Sequence, residues 1–411
     1  MKKQLLIIGF VWPEPKSSAA GSRMMQLIRF FQTQNFHITF ASACGKSDNA
    51  FDLHSIGVTS VSIVLNDSSF DEFIVHLKPD VVLFDRFMTE EQFGWRVAES
   101  CPEAVRILDT EDLHFLRRAR QQAIKSNSEM TTEDMFNDTA KREIASIYRC
   151  DLSLIISKAE MTLLEKTFKI DASLLLYVPF LLEDISEAQK QVQPVFNDRQ
   201  HFVSIGNFLH EPNYNALLYL KENLWKGIRR QLPKAELHNY GAYASEKVNQ
   251  LHNEKDGFLI KGFAQDVNAI MQSARVLLAP VRFGAGLKGK LFDAMQNGTP
   301  FITTSIGAEG VIENRNSDFI CDSPEVFINQ AVALYTEQSK WEKQYFLGFD
   351  ILASQFSKSV FETHFLIRLD DITSHLKRHR QQNFIGGLLQ HHSLQSTKFM
   401  SKWIEAKNAL R

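Results

Sequence analysis

A glycine-rich segment that also carries positive charge is the strongest chemical signal in the sequence. Residues 280–295 contain glycines spaced as G-x-G-x-x-G, which alone is a weak signal because glycine triplets arise by chance. Here the glycines lie among cations, before a predicted helix. Glycine lets a ligand approach the backbone closely, and free amides at a helix start attract anions. We predict a diphosphate site, with a tight turn carrying solvated lysines as the alternative. Its candidate residues are Arg282, Gly284, Gly286, Lys288 and Lys290.

A second glycine-containing loop follows the next predicted strand. Gly307 and Glu309 lie in it and would offer further backbone donors to the same crevice. A dinucleotide site would instead place its glycines after the first strand of a domain and an acid at the end of the second. Glu309 lies at about the right distance from Gly289, but in a loop. NAD binding is therefore the less favoured alternative.

Two further groups of polar residues follow predicted strands in the first half. Residues 9–23 form a long, glycine- and serine-containing loop that runs into a helix, and such loops are normally short. We favour a binding loop there over a plain surface loop. His114 follows another strand, with the acidic residues Asp109, Glu111 and Asp112 beside it, although helix capping explains at least one of these acids equally well. Asp85 and Arg86 follow a further strand and would face the same cleft as His114. We expect this because ligands of parallel sheets bind beyond the carboxyl ends of the strands.

Alternating strands and helices must position these residues. Apolar runs rich in Val, Ile and Leu predict strands at 5–10, 37–41, 61–65, 81–84, 105–108, 152–156, 174–178, 202–205, 236–240, 258–260, 275–280 and 300–304. Amphipathic stretches between them predict helices, one of which should open with a capping box at Ser157 and Glu160. Residues 183–200 are polar and predict a linker. We predict an α/β protein of two doubly wound domains, all helical beyond residue 324.

Composition excludes several classes of protein. The chain has 411 residues, 44% hydrophobic, with a net charge of -2, which argues against a disordered chain and against nucleic-acid binding. No apolar run approaches the ~18 residues that cross a bilayer, and we expect a cytoplasmic protein with no transmembrane segment. The four cysteines are far apart and predict reduced, buried thiols. A basic cluster at 375–380 could bind phosphate or lipid, which leaves peripheral membrane contact open, but a solvated helix face is favoured.

The chain resembles the retaining glycosyltransferases of the GT-B fold, in the group called glycosyl transferases group 1. The resemblance rests on residues 202–208 and 211–215, on the segment 282–310 and, in the first half, on 12–15 and 19–21. It implies two Rossmann-like domains facing a cleft: an acceptor-binding domain over 1–190 and a donor-binding domain over 201–365. Residues 366–411 would be helices packing back on the first domain.

The resemblance also implies roles for matching residues. A nucleotide diphosphate sugar would be the donor and a carbohydrate, lipid-linked or protein molecule the acceptor, in glycan biosynthesis without a metal or other cofactor. Asp293 matches the acidic residue that holds the ribose, and His114 the histidine that faces the transferred sugar. The implied donor-binding set is Arg282, Gly284, Gly286, Lys288, Lys290, Asp293, Gly307 and Glu309, and the acceptor-side loop contains Ala20, Gly21 and Ser22.

The sequence departs from that family at three places. The acidic residue at Asp293 is normally a glutamate, and Asp can substitute because it is also a carboxylate that accepts hydroxyl hydrogen bonds. Ala285 occupies a position that often carries a glutamate beside the sugar, and the Arg and Lys often found after the first donor-domain strand are absent. Two alternatives therefore stay open: a nucleotide-sugar epimerase of the same shape, and a degenerate protein that binds a sugar nucleotide without turnover.

Overall fold

The structure, a computed structural model, describes residues 2–312 and 318–410. The first sheet is parallel and has seven strands: β1 (Gln4–Gly9), β2 (His37–Ser42), β3 (Thr59–Ser62), β4 (Val81–Asp85), β5 (Val105–Asp109), β6 (Leu152–Ile155) and β7 (Leu175–Tyr177). Their order is β3-β2-β1-β4-β5-β6-β7. The order reverses between β1 and β4, and such a switch point opens a crevice at the carboxyl ends of the strands.

The second sheet is also parallel and has five strands: β8 (Gln200–Ile205), β9 (Leu237–Tyr240), β10 (Phe258–Gly262), β11 (Ala274–Ala279) and β12 (Phe301–Thr303). Their order is β10-β9-β8-β11-β12, with the switch between β8 and β11. All twelve predicted strands are present within a few residues of their expected bounds. The predicted fold class, two doubly wound α/β units followed by helices, is confirmed.

Eighteen α-helices lie in the described residues. They are α1 (Ala19–Thr33), α2 (Ser69–Leu77), α3 (Arg86–Ser100), α4 (His114–Lys125), α5 (Asp138–Arg149), α6 (Lys158–Lys166), α7 (Glu187–Gln191), α8 (Glu211–Tyr219), α9 (Trp225–Gln231), α10 (Glu246–Asn249), α11 (Val267–Ser273), α12 (Gly289–Gln296), α13 (Ser305–Ala308), α14 (Pro324–Thr336), α15 (Gln338–Gln355), α16 (Lys358–Ser374), α17 (Leu376–Gln382) and α18 (Phe384–Ala409).

Each sheet is covered by an apolar core on both faces. In β1, Leu6 and Ile8 belong to one buried cluster and Leu5 and Ile7 to another, because successive strand residues point to opposite faces. This two-sided burial explains why the strands are continuous apolar runs rather than alternating ones.

The C-terminal helices return from the second sheet to the first. The α15 helix packs on α12, with Ile351 and Leu352 in a core of the second sheet. The α16 helix instead places Phe365 against the first sheet, where its ring stacks on Phe30 at 4.7 Å between centroids. Residue 365, where the second domain was predicted to end, lies inside α16. The chain crosses from the second sheet to the first just before this helix, at Ser357.

Four local predictions differ in detail from the structure. The segment 183–200 is not wholly irregular, since it contains α7. The predicted capping box at Ser157 does not form, because Glu160 is buried and bonded elsewhere. The basic cluster is only partly solvated: Arg380 forms an ion pair with Asp151 at 2.8 Å, and His379 is buried against the same residue. Among the cysteines, all free, Cys44 is exposed rather than buried.

Candidate active site

The glycine loop, residues 280–288, joins β11 to α12 and lies against the first domain. Ala285 is buried in a core cluster of the first sheet. Gly286 has a φ of +63°, and a Cβ on it would lie 2.9 Å from the Cβ of Asp112. A larger residue would meet both backbone strain and a steric clash there. The glycine at 286 is thus required for the two domains to come together at this point.

Lys288 ends the loop as the N-cap residue of α12, and Lys290 lies in the first turn of that helix. Lys288 donates from Nζ to the carbonyl of Gly286 at 2.8 Å, and Lys290 donates to the Asn213 Oδ1 at 2.9 Å. Burial lowers the pKa of each lysine to about 8. Among the described residues, no carboxylate lies within 4 Å of either ammonium. Two partly desolvated cations at a helix N-terminus without a direct counter-charge can attract an anion.

Asp293 lies three residues beyond Lys290 on α12. Burial raises the pKa of its carboxyl to about 7, and the charge of Lys290 opposes that rise. In the part of the chain that the structure describes, no donor lies within hydrogen-bond distance of this carboxylate. An ionised carboxylate accepts several hydrogen bonds, so its capacity remains available to a ligand's hydroxyl groups.

Arg282 is not grouped with the lysines. Its Nε donates to the Asn215 Oδ1 at 2.9 Å, and its guanidinium lies over the Tyr219 ring at 4.8 Å. Asn215 and the partner of Lys290, Asn213, are two residues apart on α8, which turns them about 200° from each other. The three predicted cations therefore divide into a lysine pair and a separate arginine.

An arginine that the sequence analysis did not single out joins the two domains. Arg120 on α4 donates to both oxygens of Glu309 at 2.7 and 2.8 Å, and to the carbonyl of Gly284 at 2.7 Å. Glu309 thus holds an arginine of the first domain. Gly307 lies in α13, where its amide donates to the Thr304 Oγ1 at 3.0 Å.

Glu160 makes a second connection across the cleft. Its Oε1 accepts hydrogen bonds from the amides of Leu113 at 3.0 Å and Gly286 at 2.7 Å. Burial raises the pKa of this carboxyl to about 7. The sequence around Glu160 predicted helix capping and could not predict the contact with Gly286, because Gly286 lies 126 residues away in the chain.

The predicted acceptor-side residues form the first turn of α1. Ser22 donates from Oγ to the Pro15 carbonyl at 2.9 Å, and Gly21 leaves no room for a Cβ, which would lie 2.4 Å from the Glu14 carbonyl. Ala20 is half-buried beside them. A Cβ on Gly289 would meet the Ala19 Cβ at 2.8 Å. The start of α1 is therefore packed against the start of α12, and these residues shape the loop.

A buried ionic cluster lies at the carboxyl ends of β4 and β5. Arg23 pairs with Asp109 at 2.8 Å, both being almost fully buried. Asp85 and Glu111 each keep one buried oxygen without a hydrogen-bond partner, and burial raises the pKa of Glu111 to about 8. Arg86 and Glu111 have φ of +69° and +62°. Such backbone strain in non-glycine residues clusters at functional sites.

His114 begins α4 and is buried beside this cluster. Its ring meets the Phe87 ring edge to face at 5.4 Å, and its Nε2 lies 3.3 Å from the Asp112 Oδ1. Burial lowers the pKa of the imidazole to about 3, so the ring is neutral near pH 7. A buried carboxylate, Glu143, accepts from the amides of His114 and Phe115 at 3.1 Å and thereby holds the helix start.

Two features are absent from the residues that the structure describes. No group of three or more His, Cys, Asp or Glu side chains is arranged to hold a metal ion. None of the helices combines the length and the apolar character that crossing a bilayer demands.

Residues 199–337 match the family model for glycosyl transferases group 1. An uncharacterized 44.6 kDa protein of the cps region of Klebsiella pneumoniae is 26% identical over 155 residues, and the aligned segment spans 37% of each chain.

Solved structures share the fold over most of the chain. Sucrose-phosphate synthase from Thermosynechococcus elongatus superposes with a TM-score of 0.67 at 13% identity, covering 91% of this chain and 100% of that one. Anabaena HepE in complex with UDP and glucose superposes with a TM-score of 0.66 at 11% identity, covering 90% of this chain and 100% of that one. The pneumococcal O-GlcNAc transferase GtfA in complex with UDP and GlcNAc superposes with a TM-score of 0.57 at 17% identity, covering 74% of this chain and 59% of that one. The predicted resemblance to group 1 glycosyltransferases of the GT-B fold is confirmed.

Proposed function

We propose that this protein transfers a sugar from a nucleoside diphosphate sugar to an acceptor hydroxyl, with retention of anomeric configuration. The observation that carries the proposal is the arrangement at α12: two lysines without carboxylate partners, at its N-cap and in its first turn, and the free carboxylate of Asp293 one turn later. A nucleoside diphosphate presents anionic phosphates and ribose hydroxyls, which match these two features in chemistry. The complexes of HepE and GtfA with UDP support a nucleotide donor for this fold.

In this proposal the main role of the lysines is to stabilise the charge of the leaving diphosphate. Negative charge builds on the leaving diphosphate as the glycosidic bond breaks, and Lys288, Lys290 and the α12 amides stabilise it. The departing phosphate takes the acceptor's proton, so no protein nucleophile is required. This cationic site supplies the charge that a divalent metal would otherwise supply, and we propose transfer without a metal or other cofactor.

The first domain supplies the acceptor side. The unpaired oxygens of Asp85 and Glu111 can accept hydrogen bonds from acceptor hydroxyls, and His114, neutral because of its burial, can bond to the transferred sugar without exchanging protons. Glu160 brings a carboxylate from α6 next to the loop position where Ala285 lacks one. We place the reaction in the cytoplasm, in the assembly of a glycan.

One experiment separates the proposal from its two alternatives. The purified protein is incubated with a panel of nucleotide sugars and candidate acceptors, with and without EDTA. We expect released nucleoside diphosphate and a glycosylated acceptor whose anomeric configuration equals that of the donor, unchanged by EDTA. An altered sugar still attached to its nucleotide would indicate an epimerase. Binding without any turnover would indicate a degenerate protein, and activity lost with EDTA and restored by Mg²⁺ would contradict the metal-independent mechanism.

A further inference from the structure

Among its described side chains, the last helix, α18, presents several large apolar residues to solvent and is held on the protein partly by polar side chains. A surface helix of a globular protein normally has the opposite arrangement, with its apolar face on the core. This inversion does not follow from packing within the chain, and it calls for a partner on the outer side.

Polar contacts fix the inner face of α18 on α3 and α5. Gln390 donates to the Arg149 carbonyl at 3.1 Å, and Ser401 and Glu405 both bind the buried guanidinium of Arg96. A Cβ on Gly386 would lie 2.1 Å from the Tyr148 carbonyl, so the two backbones approach closely there. These contacts, spread along the helix, determine which side of it faces outward.

The outward side carries two groups of large apolar residues, one at 384–388 and one at 399–403, which together we call the outer stripe. Each member is at least 46% exposed. The outer stripe consists of Phe384, Ile385, Leu388, Phe399, Met400 and Trp403. Nineteen residues separate its ends, or about 28 Å along the helix axis. Large apolar side chains exposed together on one side of a helix, as in the group at 399–403, mark an interaction site.

Charge identifies the kind of partner. Residues 376–410 contain one acidic residue, Glu405, which is turned inward, and six basic residues, of which Arg380 and Lys398 are paired with Asp151 and Glu99. The other four are Lys377, Arg378, Lys402 and Lys407. Lys402 and Lys407 are exposed next to Trp403. A second copy of the chain would bring like charges together at this surface. An anionic lipid surface would attract them while it takes up the aromatic side chains.

We propose that the outer stripe docks the protein on an anionic membrane surface, with Phe399, Met400 and Trp403 entering the headgroup region and Lys402 and Lys407 binding lipid phosphates. The helix lies in the plane of the membrane and does not cross it. The docking surface belongs to the domain of the first sheet. The proposal does not depend on the proposed function, because membrane binding is measured without a sugar nucleotide.

Trp403 makes the test specific to this surface. It is 62% exposed, whereas the other four tryptophans, Trp12, Trp95, Trp225 and Trp341, are at most 3% exposed. The full chain is titrated with vesicles of phosphatidylcholine alone and of phosphatidylcholine with 30% phosphatidylglycerol. We expect a blue shift of tryptophan emission and protection from acrylamide with the anionic vesicles only, together with flotation of the protein.

Variants of the outer stripe keep the reporter in place. Phe399→Ser with Met400→Ser, and separately Lys402→Glu with Lys407→Glu, should each weaken vesicle partitioning about tenfold or more without changing Tm. Phe346→Ser, which removes an equally exposed phenylalanine from α15, is the matched control and should leave partitioning unchanged.

Three results would overturn the proposal. The first is that anionic vesicles cause no shift of the tryptophan emission. The second is equal binding of neutral and anionic vesicles. The third is a dimer in sedimentation experiments that the Phe399→Ser, Met400→Ser variant converts to a monomer, because a second copy would then cover the outer stripe.

Discussion

Lys288 and Lys290 are partly desolvated cations that lack a carboxylate in direct contact. Burial holds the pKa of both near 8, which places their loss of charge within an accessible pH range. A bound diphosphate would stabilise the charged form and raise both pKa values. The affinity for the diphosphate must therefore depend on pH in a defined direction.

We predict that the affinity for a nucleoside diphosphate falls as pH rises from 7 to 9. Above its pKa each lysine loses its proton, and the loss approaches about tenfold in affinity per pH unit for each lysine involved. Calorimetric titration at several pH values measures it. The variant with Lys288→Arg and Lys290→Arg keeps its charge and should give a flatter profile. A flat profile in the unmodified protein would show that these lysines do not bind the phosphates.

His114 has a different expected signature. We predict that His114→Ala lowers turnover at least about tenfold while changing nucleoside diphosphate affinity less than threefold, since the ring belongs to the first domain. Because burial lowers the pKa of the imidazole to about 3, the rate profile of the unmodified protein should show no histidine step near pH 6.5. His76→Ala, on an exposed histidine, is the control. Equal losses of binding and turnover would contradict the assignment.

The sequence allowed the lysines, Asp293 and His114 to be chosen because each follows a strand end or opens a helix, and strand ends meet at one edge of a parallel sheet. It did not allow Arg120 or Glu160 to be chosen. Their partners lie 189 and 126 residues away, and the choice of partner depends on how the two domains meet. Arg282 was predicted to lie with the lysines, but its side chain bonds to Asn215 on α8 and is separate from them.

At the scale of elements, α16 attaches the end of the chain to the first domain. Phe365 is fully buried and stacks on Phe30, and Leu369 and Ile372 continue the same contact one and two turns later. The strands could be predicted from apolar runs because both faces of each sheet are buried. The return of α16 could not be derived from such a pattern, since periodicity says which face is buried but not against what.

We predict that Phe365→Ala destabilises the first domain by about 3–5 kcal/mol, the usual cost of an aromatic cavity. Ile367→Ala, on the same helix but 64% exposed, should change stability by less than about 0.5 kcal/mol. Urea unfolding followed by circular dichroism compares the two. Similar midpoints for both variants would mean that α16 is not anchored on the first sheet.

At the scale of the whole molecule, the cleft is closed by contacts between charged groups and backbone. Arg120 binds Glu309 and the Gly284 carbonyl, and Glu160 binds the Gly286 amide, so both contacts bear on the glycine loop. Opening the cleft must break them, and closing it excludes water from the donor site.

We predict that Arg120→Met shifts the molecule toward an open form, because it removes the Arg120 contacts to Glu309 and to the Gly284 carbonyl that join the two domains. Small-angle scattering should give a larger radius of gyration than for the unmodified protein. Arg118→Met, on the same helix but bonded to Thr139 within the first domain, should leave the radius unchanged. The same radius for all three proteins would show that this ion pair does not control closure.

The central claim is that the lysines and the carboxylate of α12 bind the donor. Calorimetric titration of a nucleoside diphosphate into the unmodified protein, Lys290→Ala, Lys288→Ala and Asp293→Asn tests it most directly. We predict that Lys290→Ala loses about 1.5–3 kcal/mol of binding free energy, roughly ten- to a hundredfold in affinity, and Lys288→Ala somewhat less. Asp293→Asn should weaken nucleoside diphosphate binding but leave inorganic pyrophosphate binding unchanged. If the lysine variants bind the diphosphate as tightly as the unmodified protein, the glycine loop is not the donor site and the proposed transfer loses its physical basis.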